Sequence, residues 1–264
     1  MATVTARVTP AGPLVGLAAV VGLLAMLDRL VGLGPRGWGV GLACGAALAA
    51  LLSRGLIRAS RRFLGPADRV TLARAVLVCA VAALTADAAV SAAAPVGLLV
   101  ALSSVALALD AVDGAVARHT GTVTSLGARF DMETDAFLIL VLSLHVSRDL
   151  GWWVLAIGLA RYALLLVGVA ARWAPWLQGQ VAPRRWRKVV AAYQGIVLTV
   201  ASAQVLPSAV AAAAVGAGFG LLLVSFGTEV VTLRQQSAGA RGRTTTGYAV
   251  PAAPLDDAVP QGAP

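Results

Sequence analysis

The sequence predicts an all-α protein, a polytopic bundle of transmembrane helices. Hydrophobic residues make up 59% of the 264-residue chain and charged residues only 12%, whereas a soluble domain is about 45–50% apolar and about 25% charged. Several apolar runs approach the ~20 residues that a helix needs to cross the hydrocarbon core of a bilayer. Basic residues flank these runs. That placement indicates membrane orientation rather than a nucleic-acid partner, despite the net charge of +9.

Eight apolar runs are predicted to be membrane-spanning helices. Two lie in an N-terminal unit, residues 1–57, and six lie in a core, residues 58–236. The runs are, in order, Pro13–Val31, Trp38–Ile57, Val70–Ala89, Pro95–Val116, Asp131–Val146, Trp152–Ala171, Val189–Leu206 and Ala209–Leu233. The fifth run begins with acidic residues, so we expect its start to lie at the membrane surface. Residues 237–264, rich in Gly, Ala, Thr and Pro, are predicted to be a disordered cytoplasmic tail.

The segment Ser53–Arg69 is predicted to be an amphipathic helix that lies on the membrane surface before the core. Its spacing places four basic side chains on one helical face, where anionic headgroups attract them: Arg54, Arg58, Arg61 and Arg62. A plain cluster of topogenic charge accounts for the same residues and is compatible with the helix. With this cluster in the cytoplasm, most other Arg and Lys residues also fall inside. We therefore expect a multi-pass protein of the cell membrane with both termini in the cytoplasm.

Five of the 12 acidic residues lie between Asp110 and Asp135. Asp110 and Asp113 are three residues apart at the inner end of the fourth span, so they share a helix face. Asp131 and Asp135 are four residues apart at the start of the fifth span and share a face for the same reason. A connection of about a dozen residues between the two spans lets these faces meet. We therefore expect four carboxylates to converge near the cytoplasmic membrane surface.

Four like charges in one place repel each other unless positive charge lies between them. Two hard divalent cations, Mg²⁺ or Mn²⁺, about 3.5–4 Å apart would balance four carboxylates and clamp a phosphoryl transfer. Gly114 and Gly127 leave room for a substrate near the backbone, and Arg118 can form a bidentate contact with a phosphate. Glu133 faces away from the pair on its helix and is expected to be a surface charge. A single Asp at a helix end is usually a cap or a solvated charge, but this set indicates a two-metal site facing the cytoplasm.

The string Asp-x2-Asp-Gly-x2-Ala-Arg-x8-Gly-x3-Asp-x3-Asp, from Asp110 to Asp135, resembles the signature of the CDP-alcohol phosphatidyltransferase family without a gap or substitution. The resemblance extends from Leu64 to Gln236 and leaves the first two spans outside. It implies an integral membrane enzyme of phospholipid synthesis with six core helices, usually a homodimer. Such an enzyme, a phosphotransferase for substituted phosphate groups, moves a phosphatidyl group from CDP-diacylglycerol to an alcohol and releases CMP.

The resemblance also implies roles for individual residues. Asp110, Asp113 and Asp131 would hold the two metals. Asp135 would be both a metal neighbour and the general base. The residues that would line the cytidine diphosphate pocket are Gly114, Ala117, Arg118 and Gly127.

The start of the third span, Pro66–Arg74, resembles the family's Pro-x-Asn-x-x-Thr-x-x-Arg segment, with Asp68 where Asn is usual. This match makes Thr71 and Arg74 candidates for contact with the nucleotide or its phosphates. Two other interpretations stay open, because Thr71 could hydrogen-bond within its own helix and Arg74 could be a snorkelling charge.

Arg161 lies in the middle of the sixth span, where an unpaired Arg is costly. It either pairs with an acid of the bundle or reaches a polar cavity, and we expect the cavity, as part of an acceptor pocket. Arg129 and Lys188 add cationic groups, although positive-inside topology also explains Lys188. This surplus of positive charge favours a phosphorylated acceptor such as glycerol 3-phosphate or an inositol phosphate. Serine and other alcohols remain alternatives.

Two other functions compete with this interpretation. An ion-coupled transporter could use the acids as a cation relay, but relay acids are expected along a path near the midplane rather than together at one surface. Alternatively, the core keeps its enzyme activity and the first two spans bind a partner protein.

Overall fold

The computed structural model describes residues 11–60, 63–89, 95–120, 124–170 and 185–245. Within these residues the chain forms eight α-helices and one short 3₁₀ turn, Trp152–Val154, and no strand. The helices are α1 (Ala11–Val31), α2 (Pro35–Arg58), α3 (Pro66–Asp87), α4 (Val96–Thr120), α5 (Ser125–Leu150), α6 (Leu155–Ala170), α7 (Arg185–Ser202) and α8 (Ser208–Thr245). Each predicted span overlaps one of these helices, in the predicted order. The all-α helix bundle is therefore confirmed.

Seven of the eight helices of the described segments contain apolar stretches suited to a bilayer. Four of them contain stretches long and apolar enough to cross it: Gly12–Val31, Pro35–Arg58, Pro66–Asp87 and Ser208–Thr228. Three shorter apolar stretches lie in α4, in the 3₁₀ turn together with α6, and in α7. Large apolar side chains such as Leu14 and Leu166 are exposed, and an apolar solvent removes the cost of that exposure. The chain is an integral membrane protein.

The third helix, α3, lies at the centre of the bundle. Its apolar span is 72% buried, against 22% for those of α1, α2 and α8. It packs against α1, α2, α4 and α5. Because protein surrounds α3, its polar residues must find their partners inside the bundle. This position explains the buried arginine of the site described below.

The N-terminal hairpin of α1 and α2 packs directly on α3. Small residues on α2 allow the close approach: a Cβ atom on Gly41 would lie 2.7 Å from Leu24 Cδ1 and 3.2 Å from Ala83 Cβ. Gly41 is thus a contact point of three helices, as expected for tight packing in lipid. The two extra spans therefore cover the helix on which the core is built.

The separate amphipathic helix expected at Ser53–Arg69 is a prediction that the structure corrects. Ser53–Arg58 are the last turns of α2, and Pro66–Arg69 are the first turn of α3. The chain turns at Ala59 and Ser60, and the side chains of Arg61 and Arg62 lie outside the described residues. Arg54 and Arg58 lie on α2, so the first half of the predicted surface helix belongs to the preceding span.

The helices around the acidic motif extend further than expected. α4 runs to Thr120 and α5 begins at Ser125, so four residues, 121–124, separate them instead of the longer connection that we predicted. The aspartates of α5 therefore lie in its second and third turns. At the other end of the chain α8 continues to Thr245, past the predicted core boundary at Gln236; the rest of the predicted tail lies outside the described residues.

At the C-terminal end of α5, contacts with neighbouring helices hold the bundle together. Arg148 Nη2 donates a hydrogen bond to the carbonyl oxygen of Thr85 on α3, at 3.0 Å. After α5 the chain reverses at Gly151, whose φ of +100° favours glycine. The aspartates of α5 lie near its N-terminus, at the end away from these contacts.

Candidate metal centre

Three carboxylates from two helices converge at one end of the bundle. Asp110 lies on α4, and Asp131 and Asp135 lie on α5; each offers one oxygen, and these atoms lie within 4.8 Å of one another. Their side chains are 42%, 37% and 34% exposed, respectively, so the cluster is open to the outside. Asp113 follows one turn later on α4, and its side chain lies outside the described residues. Three of the four predicted carboxylates therefore meet as the helical spacing indicates.

The guanidinium of Arg74 contacts all three carboxylates. Its Nη1 atom lies 3.0 Å from Asp110 Oδ1 and also pairs with Asp131, while its Nη2 atom pairs with Asp135. Its Nε atom donates to the carbonyl oxygen of Ala106 on α4, at 3.2 Å. The Arg74 side chain is only 1% exposed, so it reaches the cluster from the core side. The sequence indicated Arg74 as a nucleotide contact and missed its contacts with the acids.

The donor set fits a hard divalent cation. All of its side-chain donors are carboxylate oxygens, which Mg²⁺ and Mn²⁺ accept readily. Three carboxylates against one guanidinium leave net negative charge at the cluster, and each carboxylate side chain is about one third or more exposed, so an ion can reach it. The residues present can therefore hold a metal ion.

The first turns of α3 and α5 meet beside the carboxylate cluster. Asp68 is 4% exposed, and its Oδ2 atom accepts a hydrogen bond from the backbone N–H of Gly65 at 3.0 Å, which caps α3. Thr124 caps α5 by accepting from the N–H of Gly127, at 2.9 Å. A Cβ atom on Gly127 would collide with Asp68 Oδ1 and lie 3.1 Å from Thr124 Oγ1. Gly127 therefore permits the two capped helix ends to touch.

The remaining candidates for the nucleotide pocket are described only in part. Thr71 is buried on α3, and its hydroxyl donates to the carbonyl oxygen of Ala67 at 3.2 Å, the within-helix bond that we left open. Gly114 lies on α4, one turn after Asp110, and is half-buried. The side chains of Ala117 and Arg118 lie outside the described residues. The predicted nucleotide role of these four residues stays a prediction.

The predicted acceptor-binding residues have different surroundings. Arg161 Nη2 on α6 lies 2.6 Å from Glu133 Oε1 on α5, so the structure shows the pairing with an acid rather than the cavity that we expected. Glu133 is the ion-pair partner of Arg161 and not an isolated surface charge, because its face of α5 packs towards α6. Arg129 is exposed, and the Lys188 side chain lies outside the described residues. Acceptor binding by these residues stays a prediction.

Substituting Gly127 with alanine is expected to lower CMP release about 100-fold, if the cluster is catalytic. The new methyl group must displace the Asp68 carboxylate or move the start of α5, and Asp131 lies one turn further along the same helix. A misplacement near 1 Å costs about that factor in rate, and overpacking of this kind costs about 1–3 kcal/mol of stability. The measurement is CMP release together with thermal unfolding of the purified variant.

The matched control is Gly97→Ala on α4, where a Cβ atom would meet nothing within 4 Å. This variant should keep wild-type activity and unfolding temperature. In the double variant Asp68→Ala/Gly127→Ala the colliding carboxylate is gone, so activity should recover relative to Gly127→Ala alone. Wild-type activity of Gly127→Ala would show that the contact between α3 and α5 does not position the aspartates.

Comparison with known proteins agrees with the geometry of the site. The model of one protein family, described as CDP-alcohol phosphatidyltransferase, matches residues 65–225. These residues contain the whole acidic motif and the central helix α3, and they exclude α1 and α2. No curated protein and no solved structure gave a significant match to the chain.

Proposed function

The chain belongs to the CDP-alcohol phosphatidyltransferase family, and we propose that it transfers the phosphatidyl group of CDP-diacylglycerol to an alcohol, with release of CMP. The family establishes a membrane-bound transferase that acts on a CDP-alcohol and uses a divalent metal. The observation that carries the proposal for this chain is the convergence of Asp110, Asp131 and Asp135 from two helices at the family's spacing.

In the proposed reaction the hydroxyl oxygen of the acceptor attacks the phosphorus that bears diacylglycerol. The new P–O bond forms as the bond between this phosphorus and the CMP oxygen breaks, and CMP leaves with the bonding electrons. A hydroxyl is a poor nucleophile at neutral pH, so it needs a base within hydrogen-bond reach. We assign this role to Asp135, which would take the hydroxyl proton.

The proposed metal ligands are Asp110, Asp113, Asp131 and Asp135. Two bound cations, Mg²⁺ or Mn²⁺, would neutralise the diphosphate and stabilise the charge that develops on the leaving phosphate. The aspartates fix where the diphosphate lies, because they come from two packed helices. The pocket for the cytidine diphosphate would be lined by Thr71, Gly114, Ala117, Arg118 and Gly127.

The position of the cluster supports a lipid substrate. The carboxylates lie at one end of the bundle and are open to the outside, where a water-soluble acceptor and a lipid headgroup can meet. We place this end at the cytoplasmic surface, since the positive-inside rule puts most basic residues there. From the family resemblance we also propose a homodimer in the cell membrane. The family match does not favour the transporter alternative.

A phosphorylated acceptor is proposed from the cationic groups near the start of α5. Arg129 is exposed and lies one turn before Glu133 on α5, and Glu133 and Arg161 on α6 compensate each other's charges. A phosphate on the acceptor would find in Arg129 an accessible cationic contact. Arg161 and Lys188 would complete this acceptor site.

An acceptor screen tests the proposed function. We expect metal-dependent CMP release from CDP-diacylglycerol with glycerol 3-phosphate or an inositol phosphate, and little with serine. Arg129→Gln should raise the KM for the phosphorylated acceptor about tenfold, because it removes one charged phosphate contact, and should leave kcat nearly unchanged. Arg54→Gln, a change of another exposed arginine, is the control. No CMP release with any alcohol acceptor would refute the proposed function.

A further inference from the structure

Arg74 is the positive charge that the described part of the chain places among the aspartates. It rises from the central helix α3 and contacts carboxylates on both α4 and α5. From these contacts we propose that Arg74 is a built-in cation of the metal centre, which keeps Asp110, Asp131 and Asp135 assembled without metal and weakens the binding of metal. This inference rests on the proposed function, in which the same carboxylates bind divalent cations.

The anchoring of Arg74 supports a fixed rather than a mobile cation. Its Nε atom donates to the Ala106 carbonyl oxygen at 3.2 Å, and its side chain is 1% exposed. Moving the guanidinium out of the cluster would break this bond and would bury unpaired charge on the way, which is costly in a helix bundle. Arg74 therefore stays in the cluster.

The guanidinium leaves part of each carboxylate side chain exposed, where an incoming metal would bind. Arg74 contacts them from the buried interior of the bundle, whereas each carboxylate is about one third or more exposed on the outer side. A carboxylate has two oxygens and about four lone-pair sites, so it can accept both partners. Arg74 thus shares the ligands with the metal and does not have to leave when the metal binds.

The sign of the electrostatic effect separates this role from ordinary structural support. Without the guanidinium, the three carboxylates repel each other at short range, and the metal-free protein becomes less stable. A bound dication relieves this repulsion. In a variant without this arginine, the dication is also not repelled by the guanidinium. Removing Arg74 should therefore tighten metal binding, whereas general damage to the site would weaken it.

These contacts favour a role for Arg74 beside the metal ligands rather than as a direct phosphate ligand. Its donors are directed at the carboxylates and at Ala106, on the buried side of the cluster. A nucleotide that approached from the exposed side would meet the aspartates first. Arg74 is accordingly a positioning residue, which acts on the reaction through the metal ligands.

The experiment compares Mn²⁺ binding by wild-type protein and Arg74→Gln, each purified as the full chain in detergent. Free Mn²⁺ is measured by electron paramagnetic resonance without substrates, and thermal unfolding is measured with chelator and with saturating Mn²⁺. We expect Arg74→Gln to bind Mn²⁺ about tenfold more tightly and to unfold several degrees lower in chelator. Saturating Mn²⁺ should return its unfolding temperature towards that of the wild type.

Arg148→Gln is the matched control. Arg148 also joins two helices through its guanidinium, by a hydrogen bond to Thr85 on α3, but it lies at the opposite end of α5. Its substitution should lower the unfolding temperature without changing the affinity for Mn²⁺. Arg74→Lys keeps the charge and should bind Mn²⁺ with nearly wild-type affinity.

Several outcomes would overturn the inference. These are unchanged or weaker Mn²⁺ binding by folded Arg74→Gln, equal affinities of Arg74→Gln and Arg74→Lys, and an Arg74→Gln variant that stays unfolded even at saturating Mn²⁺. None of these readouts involves CDP-diacylglycerol. If the wild type binds Mn²⁺ and the variants behave as expected but no CMP is released, the proposed function fails and the role of Arg74 stands.

Discussion

Asp135→Asn is expected to lower the rate of CMP release by about 10²–10⁴-fold, the range that general acid–base catalysis contributes. The substitution keeps the shape of the side chain but removes the carboxylate that would take the proton from the acceptor hydroxyl. It also replaces one of the three charged carboxylates, whose oxygens lie within 4.8 Å of one another, with a neutral amide, so metal binding should weaken as well. The measurement is the rate of CMP release at saturating CDP-diacylglycerol, acceptor and Mn²⁺.

The control for this prediction is Asp149→Asn on the same helix. Asp149 lies at the far end of α5 and accepts a hydrogen bond from Gln204 at 2.8 Å on the exposed surface. The same chemical change there should leave the rate within about twofold of wild type, as for most surface substitutions. If Asp135→Asn releases CMP at the wild-type rate, both the assigned base and the assigned ligand are wrong.

Removing divalent metal is expected to reduce CMP release on the order of 10³-fold or more, because bound cations contribute several kcal/mol to stabilising the charge of the transition state. Mg²⁺ or Mn²⁺ should restore the rate. Ca²⁺ should restore much less, since it prefers a larger and more flexible coordination sphere than Mg²⁺ does. The measurement is CMP release after passage over a chelating resin, followed by titration with each metal.

Thermal unfolding of the same samples is the control for metal removal. Because Arg74 contacts all three carboxylates, the chelated wild type should remain folded and recover full activity when metal returns. Loss of activity without unfolding assigns the effect to chemistry rather than to collapse of the site. Full activity in metal-free buffer would contradict a metal-dependent transfer.

The fold was predictable because the bilayer imposes the length of each apolar run. The hydrocarbon thickness requires ~20 residues for each crossing, and each predicted span overlaps one helix of the structure. Helix ends were less predictable. Residues at the ends of spans carry mixed polar and apolar side chains, and packing decides how far a helix continues. The segment Ser53–Arg69 shows this, because its first residues, up to Arg58, complete α2 and its last residues, from Pro66, begin α3.

The acidic cluster was predictable because helical spacing alone places residues three or four apart on one face. The spacings of Asp110 to Asp113 and of Asp131 to Asp135 could be read without any tertiary contact. The pairing of Glu133 with Arg161 could not be read in this way. Glu133 and Arg161 lie 28 residues apart, on two different helices. Whether they meet depends on which face of α5 packs against α6, and the sequence does not specify this.

The amino-acid sequence by itself determined the membrane helices and the face on which each aspartate lies, because both depend on local periodicity and on the thickness of the bilayer. Only the tertiary structure decided where the positive charge of the site comes from. Arg74 is 57 residues from Asp131 along the chain, and its spacing within α3 says nothing about the acids. It reaches them because α3 is enclosed by other helices, and an enclosed arginine must find its counter-charges within the protein.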